Sequence, residues 1–480
     1  MSREGPGRTL PAWFAEAALG IFVHFTPASV PGFAPRGRIE QVFVHGQSAS
    51  PYSEWYWNSL RIPGSPVARF HRERYGDRPY EAFAAEFRRG LEKWDAGTWA
   101  SLFREAGARY VVLVAKHHDG FCLWPSEVPH PDPRYREWHA GRDVVGELAR
   151  AVRAEGMRFG IYYSAGLDWS FERRPVRGLA DLLGNVPGGA YPAYAAAQLR
   201  ELIDRHRPSV LWNDIAWPGD AHSLLELVRH YRRLVPDGVI NDRWHHRRWF
   251  QPALRVPLVT RAIDAALRPR LRRLRGVPAP PPPLVYDVRT TEYTTFRGIQ
   301  PDRFECVRGM DGSFGYNRNS RPEDFLSREE LLDSLAEVVS KNGNLLLNVG
   351  PRGEDAAIPE PQVERLRWLG EFTGRAGEAI YGTRPWRRAE ALSREGVALR
   401  FTHRPAGDVG TLYVVARDMP EGGALTLADV PLGDPPRVRR LAEGPPPTVR
   451  RDPSGALRIE LARGCRSEVQ EVFAVEPVPA

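Results

Sequence analysis

Two acidic residues directly follow stretches of apolar and β-branched residues, at positions suited to chemistry. Asp214 ends the stretch VLWND, and Glu292 ends VYDVRTTE. Two carboxyl groups can hydrolyse a glycoside, because one attacks the sugar or activates water while the other protonates the leaving oxygen. Trp55, Trp212 and Phe314 supply aromatic side chains of the kind that line sugar sites. Asp214 paired with a glutamate is therefore the first candidate for a catalytic pair.

Other polar residues also end apolar stretches, and they are His24, His117, His118, Tyr162 and Arg243. Each type has an ordinary structural role, since a histidine can be hydrogen-bonded in a core and an arginine can pair with a carboxylate. An aspartate at such a position can likewise cap the next helix. If several strands bring such residues to the same rim, however, the residues together would form a polar pocket for a small ligand.

The histidines raise the alternative of a zinc site, because histidine is a common zinc ligand. Adjacent residues of a strand point to opposite faces, so His117 and His118 are not expected to bind the same ion. The three cysteines show no CxxC spacing. Neither a G-x-S-x-G motif nor a G-x-G-x-x-G motif is present, which argues against a serine hydrolase and a nicotinamide enzyme. We expect no metal and no cofactor.

Apolar stretches alternate with segments of helical periodicity over most of the chain. Residues 110–118, YVVLVAKHH, have the near-continuous apolar character of a parallel strand that is buried on both faces. The repetition predicts an α/β fold, a (β/α) TIM-like barrel whose active site lies at the carboxyl ends of its strands. After Tyr381 short alternating segments predict an all-β sandwich. We therefore expect a catalytic barrel domain at 1–385 and a β-sandwich domain at 386–480.

The basic charge is concentrated in one stretch. The net charge is +8, carried mostly by scattered arginines, so no nucleic-acid partner is expected. Near residues 247–284 the segments RPRLRRLRG and PAPPPP form a basic, proline-rich insertion. We expect this insertion to be solvated and partly disordered, with a basic amphipathic arm for a membrane surface or an acidic partner as the alternative.

Two further expectations concern the environment of the protein. No stretch approaches the ~20 apolar residues of a membrane span, so no membrane partner is expected. The first residues, MSREGPGRTLPAWF, lack the apolar region of a secretory signal, which predicts a cytoplasmic protein.

A set of motifs carries a resemblance to a known family. The motifs are GIFVHF, SEWYWN, KHHDGFCLWPS, GIYYSAGLDW, LWNDIAWP, INDRW, TTEY, SFGYNRN and KNGNLLLNVGPRG. In this order, from about Trp13 to Trp386, they resemble the α-L-fucosidases of glycoside hydrolase family 29. The resemblance implies a (β/α) barrel followed by a β-sandwich. It also implies a retaining exo-glycosidase that removes terminal α-L-fucosyl residues through a covalent fucosyl-enzyme intermediate.

The resemblance further implies roles for individual residues. Asp214 matches the family's nucleophile, and Glu292 matches an acid/base, with Arg243 orienting it. Glu305 is the second acid/base candidate and Glu54 the third; alternatively, Glu305 is a structural carboxylate paired with Arg308 or Arg318. The residues implied in sugar binding are His24, Glu54, Trp55, His117, His118, Tyr162, Trp212, Arg243 and Phe314, the last facing the sugar's methyl group.

The substrate implied is a fucosylated glycan or glycoside, and a homo-oligomer is compatible with the sequence. Two alternatives remain open at this point. A non-catalytic fucose-binding protein of the same fold would result if the insertion displaced Glu292. A related α-L-glycosidase, such as an α-L-galactosidase, would differ in the bulk around Phe314.

Overall fold

The computed structural model describes residues 8–246, 251–419, 423–428, 430, 436–462 and 470–479. Its first sheet has eight parallel strands in the order β5-β4-β3-β2-β1-β8-β7-β6. These strands are β1 Leu19–Val23, β2 Tyr110–Lys116, β3 Arg158–Tyr163, β4 Val210–Asn213, β5 Val239–Ile240, β6 Arg289–Glu292, β7 Phe304–Gly309 and β8 Gly343–Val349. Every residue of β1, β2 and β8 is buried, as expected for parallel strands covered on both faces.

The sheet curls into a barrel whose two end strands are β5 and β6. The segment that enters β6 joins them, because the backbone N–H groups of Asp287 and Val288 donate to the carbonyl oxygen of Ile240 at 2.9 and 3.2 Å. The Asp287 carboxylate also accepts from the Ile240 N–H at 2.9 Å. These contacts bring the carboxyl ends of all the strands to one rim.

Helices surround the barrel. They are α1 Ala12–Ala15, α2 Glu40–His45, α3 Tyr56–Leu60, α4 Pro66–Tyr75, α5 Phe83–Leu91, α6 Ala96–Glu105, α7 Val144–Ala154, α8 Leu179–Gly184, α9 Tyr191–His206, α10 Ala221–Leu234, α11 Pro257–Leu271, α12 Arg328–Ser340 and α13 Glu360–Ala376. Side-chain caps fix several starts; Asp143, for example, accepts from the Gly146 N–H at 2.9 Å. Among the described residues no helix is long and apolar enough to cross a bilayer.

The C-terminal part is built of antiparallel strands in a five-stranded sheet, β13-β16-β11-β10-β9, and a three-stranded sheet, β12-β15-β14. The strands are β9 Arg384–Leu392, β10 Ala398–Ala406, β11 Val409–Arg417, β12 Ala424–Leu427, β13 Arg437–Arg440, β14 Thr448–Arg451, β15 Leu457–Glu460 and β16 Gln470–Pro479. Phe401 and Leu412 of one sheet share a core with Leu425 and Ile459 of the other. The predicted fold class, a TIM-like barrel followed by an all-β sandwich, is confirmed.

The described part of the basic insertion is largely ordered, which makes the expectation of partial disorder wrong there, whereas most of its side chains are exposed to solvent as expected. Residues 247–250 of it lie outside the described residues. Helix α11 lies against α8, where Asp264 Oδ1 accepts from the Ala180 N–H at 2.9 Å. The chain then returns beside α2, where the Gly276 N–H donates to Glu40 Oε1 at 3.0 Å.

Candidate active site

A cavity of about 520 Å³ opens at the carboxyl ends of the barrel strands. Every predicted site residue except Glu305 lines it, namely His24, Glu54, Trp55, His117, His118, Tyr162, Trp212, Asp214, Arg243, Glu292 and Phe314. These residues come from separate strands and loops, so the barrel rim is what assembles them.

Asp214 follows β4 and is held by three donors. Its Oδ1 accepts from Arg243 Nη1 at 3.0 Å and from the Ile215 N–H at 2.8 Å. Among the described residues, its Oδ2 accepts one hydrogen bond, from the Tyr162 hydroxyl at 2.9 Å, and His118 Nε2 lies 3.8 Å from it. Oδ2 therefore has fewer hydrogen-bond partners than Oδ1 and is better placed to attack a ligand.

The backbone turns sharply directly after Asp214. Ile215 has φ +67°, a left-handed conformation that is costly for a β-branched residue. The Ala216 N–H closes the turn by donating to the Asp214 carbonyl oxygen at 2.9 Å. Asn213 Nδ2 donates to the carbonyl oxygens of Ala216 and Arg243 at 3.2 and 2.9 Å. A strained backbone conformation of this kind persists only where the surrounding contacts hold it in place. Here the turn directs the Asp214 carboxylate into the cavity.

Glu292 ends β6, and its carboxylate faces the same guanidinium as Asp214. Glu292 Oε2 accepts from Arg243 Nη2 at 3.1 Å, and Oε1 accepts from the Tyr52 hydroxyl. Burial lowers the pKa of Arg243, but the charges of Asp214 and Glu292 raise it by more, so the guanidinium stays cationic. One arginine therefore bridges the two carboxyl groups.

The histidines are held in defined tautomers. His24 Nδ1 lies 2.5 Å from the Asn348 side-chain oxygen and donates to it. His118 Nδ1 lies 2.6 Å from the Ser164 hydroxyl, which itself donates to the Leu167 carbonyl oxygen and so accepts from the ring. Burial lowers the pKa of His24 to about 4 and that of His118 well below its ordinary value. Both rings are thus neutral, with Nε2 free to accept a hydrogen bond.

His117 and His118 lie side by side, with ring centroids 4.0 Å apart, and both line the cavity. The expectation that they point to opposite faces is wrong, because β2 ends at Lys116 and strand alternation no longer applies beyond it. Burial also lowers the pKa of His117 well below its ordinary value. In the described part of the chain, no group of three or more His, Cys, Asp or Glu residues is arranged to hold a metal ion.

Glu54 supplies a third carboxyl group. Its Oε2 accepts from the Gly315 N–H at 2.8 Å and from the Ser313 hydroxyl at 3.4 Å. Burial is the main reason that its pKa rises to about 8, and the nearby charge of Glu292 also raises it. Glu54 is therefore protonated at neutral pH and can donate to a ligand oxygen.

Aromatic rings form the apolar walls of the cavity. Phe314 stacks on His24 with centroids 5.1 Å apart, and Trp212 stacks on Tyr162 at 5.3 Å. Trp55 meets His118 edge-on at 5.0 Å. The result is a site with both apolar faces and hydrogen-bonding groups, as a sugar requires.

Glu305 is fully buried and does not line the cavity. Its carboxylate accepts from the Tyr110 hydroxyl at 2.6 Å and from the Trp212 indole N–H at 2.9 Å. The expected pairing with Arg308 or Arg318 is wrong, since Arg308 donates to Ser334 and Arg318 donates to backbone carbonyl oxygens. Glu305 therefore supports Trp212 from below and does not face a ligand.

Three positioning residues were not predicted from the sequence. Tyr52 donates to Glu292, Asn348 orients His24 and Ser164 orients His118. Tyr52 directly precedes the SEWYWN motif, while Ser164 lies within GIYYSAGLDW and Asn348 within KNGNLLLNVGPRG. Their place in or beside these motifs was the available signal.

Comparison with known proteins agrees with this geometry. Residues 3–257 and 281–378 match the sequence model of the family described as alpha-L-fucosidase. Human plasma α-L-fucosidase is 31% identical over 438 residues, which cover 88% of this chain and 79% of the human protein. The tissue α-L-fucosidase of Macaca fascicularis is 27% identical over 481 residues, 97% of this chain and 88% of that protein.

A solved structure is similar over nearly the whole chain. The α-fucosidase of Thermotoga maritima in complex with a mechanism-based inhibitor is 37% identical, with a TM-score of 0.79 and 97% of each chain covered. The family match, the barrel and the carboxylate-bearing cavity lead to the same result. The chain belongs to the α-L-fucosidase family, glycoside hydrolase family 29, and is a glycoside hydrolase that removes fucosyl residues.

Proposed function

We propose that the protein is a retaining exo-α-L-fucosidase in which Asp214 is the nucleophile and Glu292 the acid/base. The observation that carries the proposal is the single guanidinium of Arg243 bound to both carboxylates, at 3.0 and 3.1 Å. A group of this size keeps the two carboxyl groups close together. That favours the separation of roughly 5–5.5 Å found in retaining enzymes over the roughly 6.5–9.5 Å that leaves room for water in inverting ones.

The first step forms a covalent intermediate. Asp214 Oδ2 attacks the anomeric carbon while the bond from that carbon to the glycosidic oxygen breaks. The proton of the Glu292 carboxyl group passes to the departing oxygen, so the aglycone leaves as a neutral alcohol. During this step the negative charge passes from Asp214 to Glu292. Arg243 is bound to both groups and stabilises the charge on either one.

The second step releases the sugar. The Glu292 carboxylate takes a proton from water, whose oxygen attacks the anomeric carbon and breaks its bond to Asp214. Two displacements on opposite faces give net retention, and both carboxyl groups return to their starting states. The relative from Thermotoga maritima was solved with a mechanism-based inhibitor, which is in keeping with a covalent route.

Recognition of the sugar falls to groups already in place in the cavity. The neutral rings of His24 and His118 accept from hydroxyl groups, and the protonated Glu54 donates to one. Phe314, stacked on His24, offers an apolar surface to the methyl group of a 6-deoxy sugar. A terminal sugar fits such a site because strands close it at the inner end.

The test compares two substrates with different leaving groups. With 4-nitrophenyl α-L-fucoside, Asp214→Ala should lower kcat by more than about 10³-fold. Glu292→Ala should lower kcat by about 10²–10⁴-fold with methyl α-L-fucoside and by less with the 4-nitrophenyl substrate, whose leaving group needs no proton. Azide should restore the Glu292 variant and yield the α-fucosyl azide, because it attacks the β-linked fucosyl-enzyme from the opposite face.

Proton NMR of the first product formed by the wild type decides the stereochemistry. α-L-Fucose as the initial product supports retention, whereas β-L-fucose would exclude the covalent route. Glu305→Ala serves as the matched carboxylate control. If azide restored that variant and not the Glu292 variant, Glu292 would lose its proposed role.

A further inference from the structure

The cavity that holds Glu292 is also lined by apolar side chains from three helices. Val42 and Phe43 come from α2, Leu179 and Leu182 from α8, and Leu271 from α11. We refer to these residues as the outer wall. Aliphatic side chains dominate it, in contrast to the polar inner site. The aglycone, which is bonded to the glycosidic oxygen near Glu292, would contact this surface.

One part of the outer wall comes from the basic insertion. The family match stops at residue 257 and resumes at residue 281. Helix α11, Pro257–Leu271, falls almost entirely in this gap. This chain therefore closes its pocket with a segment that the family's sequence model does not describe.

Hydrogen bonds hold the insertion in place. Asp264 is bonded to the Ala180 N–H of α8 at 2.9 Å, and the Gly276 N–H to Glu40 of α2 at 3.0 Å. The Val277 N–H donates to the Glu292 carbonyl oxygen at 2.7 Å. The outer wall is thus a built surface continuous with the catalytic residues.

Two exposed arginines stand at the rim of the same cavity. Arg177 precedes α8 and Arg268 lies on α11, and both line the pocket. Within the described ranges neither side chain has an ion pair. Asp264 also lines the cavity and accepts from the Ala180 N–H, and its carboxylate opposes the arginines in charge. The two arginines outnumber this one carboxylate, so the rim favours an anion.

We infer that the outer wall is an aglycone subsite for an amphipathic aglycone, with an alkyl or aryl body and an anionic group at its far end. The inference rests on the proposed function, because it places the leaving group beyond Glu292. The five side chains of the outer wall offer no partner to the hydroxyl groups of a second sugar, and apart from the two arginines the polar groups beside them are His45, Gln47 and Asp264. An apolar body gains from burial on this surface, and an anion gains from Arg177 and Arg268.

The test is a series of alkyl α-L-fucosides: methyl, octyl and 8-carboxyoctyl. Primary alcohols have similar acidity, so the chemical step stays nearly constant while the contact with the outer wall grows. The octyl fucoside should show a kcat/KM about tenfold above that of the methyl fucoside. The carboxylate should add about threefold at low ionic strength, and high salt should remove this gain.

Each variant on α11 is paired with a control substitution on the same helix, so that an effect on the subsite can be told from an effect on the helix as a whole. Leu271→Ser should lower the octyl-to-methyl ratio of kcat/KM about threefold, and Arg268→Gln should abolish the preference for the carboxylate. The controls are Leu258→Ser, at a leucine of the same helix that is 76% exposed, and Arg261→Gln, at an exposed arginine that does not line the cavity. Both ratios should be unchanged in the controls.

The outcomes are distinct. Hydrolysis of all three fucosides at equal kcat/KM would overturn the subsite and leave the proposed function intact. Equal effects of the α11 variants and their controls would do the same. If no fucoside were hydrolysed, the proposed function and the subsite would both fail.

Discussion

Val277 and Glu292 exchange two backbone hydrogen bonds, from Val277 N–H to Glu292 O at 2.7 Å and from Glu292 N–H to Val277 O at 2.8 Å. Val277, within the insertion, thus pairs antiparallel with the last residue of β6, while β7 pairs with β6 on its other side. The backbone that carries the proposed acid/base is therefore fixed from both sides. The insertion supports Glu292 and does not displace it.

Gly276, the residue before this bridge, offers a test of that support. It has φ +65°, and a Cβ there would lie 2.4 Å from the Glu292 carbonyl oxygen. Gly276→Ala should therefore shift Glu292 and lower kcat at least about tenfold, because small displacements of a catalytic group are costly. Gly189→Ala is the control, since Gly189 has φ +61° and open space around it. Equal kcat values for the two variants would show that the bridge does not position Glu292.

Glu305 should be needed for stability and not for proton transfer. Glu305→Ala leaves the Trp212 indole N–H and the Tyr110 hydroxyl without their acceptor and opens a cavity, so we expect it to cost about 3 kcal/mol in urea denaturation. Glu305→Gln keeps one oxygen that can accept from the Trp212 N–H and places an amide N–H beside the Tyr110 hydroxyl, which can accept from it. Its kcat should stay within about tenfold of the wild type. A loss of kcat in Glu305→Gln equal to that in Glu292→Gln would contradict this assignment.

The barrel and the sandwich could be predicted because their strands have different apolar periods. Strands buried on both faces, such as β2, are nearly continuous in apolar residues, whereas strands of the sandwich such as β15 alternate. The insertion was misjudged because its composition, rich in Arg and Pro, is typical of disorder. What orders it is tertiary contact, such as that between Asp264 and Ala180, and composition does not reveal such contacts.

The site residues could be predicted where a strand end was clear, as for Asp214 and Glu292. Glu305 shows the limit of that reasoning, since it is the second residue of β7 and lies far from the strand's carboxyl end at Gly309. Its side chain therefore points into the barrel below the rim. Tyr52 was missed because it lies in a loop, and the spacing of loop residues does not determine where their side chains point.

Glu54 should make stability depend on pH. Its pKa is about 8 in the folded protein and near 4.5 in an unfolded chain, so folding takes up a proton between these values. The stability from this group is complete below about pH 4.5 and is lost as the pH rises toward 8. The difference in melting temperature, wild type minus Glu54→Gln, should decrease as the pH is raised from 5 to 8. A constant difference across this range would show that the Glu54 carboxyl group is already ionised at pH 5.

Lys116 and Asp168 form an ion pair of 2.6 Å in which neither side chain is exposed, just before His117 in the chain. Lys116→Met leaves a buried carboxylate without its partner and should cost about 3–5 kcal/mol of unfolding free energy. The double variant with Asp168→Asn should recover most of that loss, because the unpaired charge is gone. Arg367→Met, at an ion pair whose side chains are 61% and 73% exposed, is the surface control and should change little. If the double variant were as unstable as Lys116→Met, the loss would come from packing around Lys116 and not from the stranded charge of Asp168.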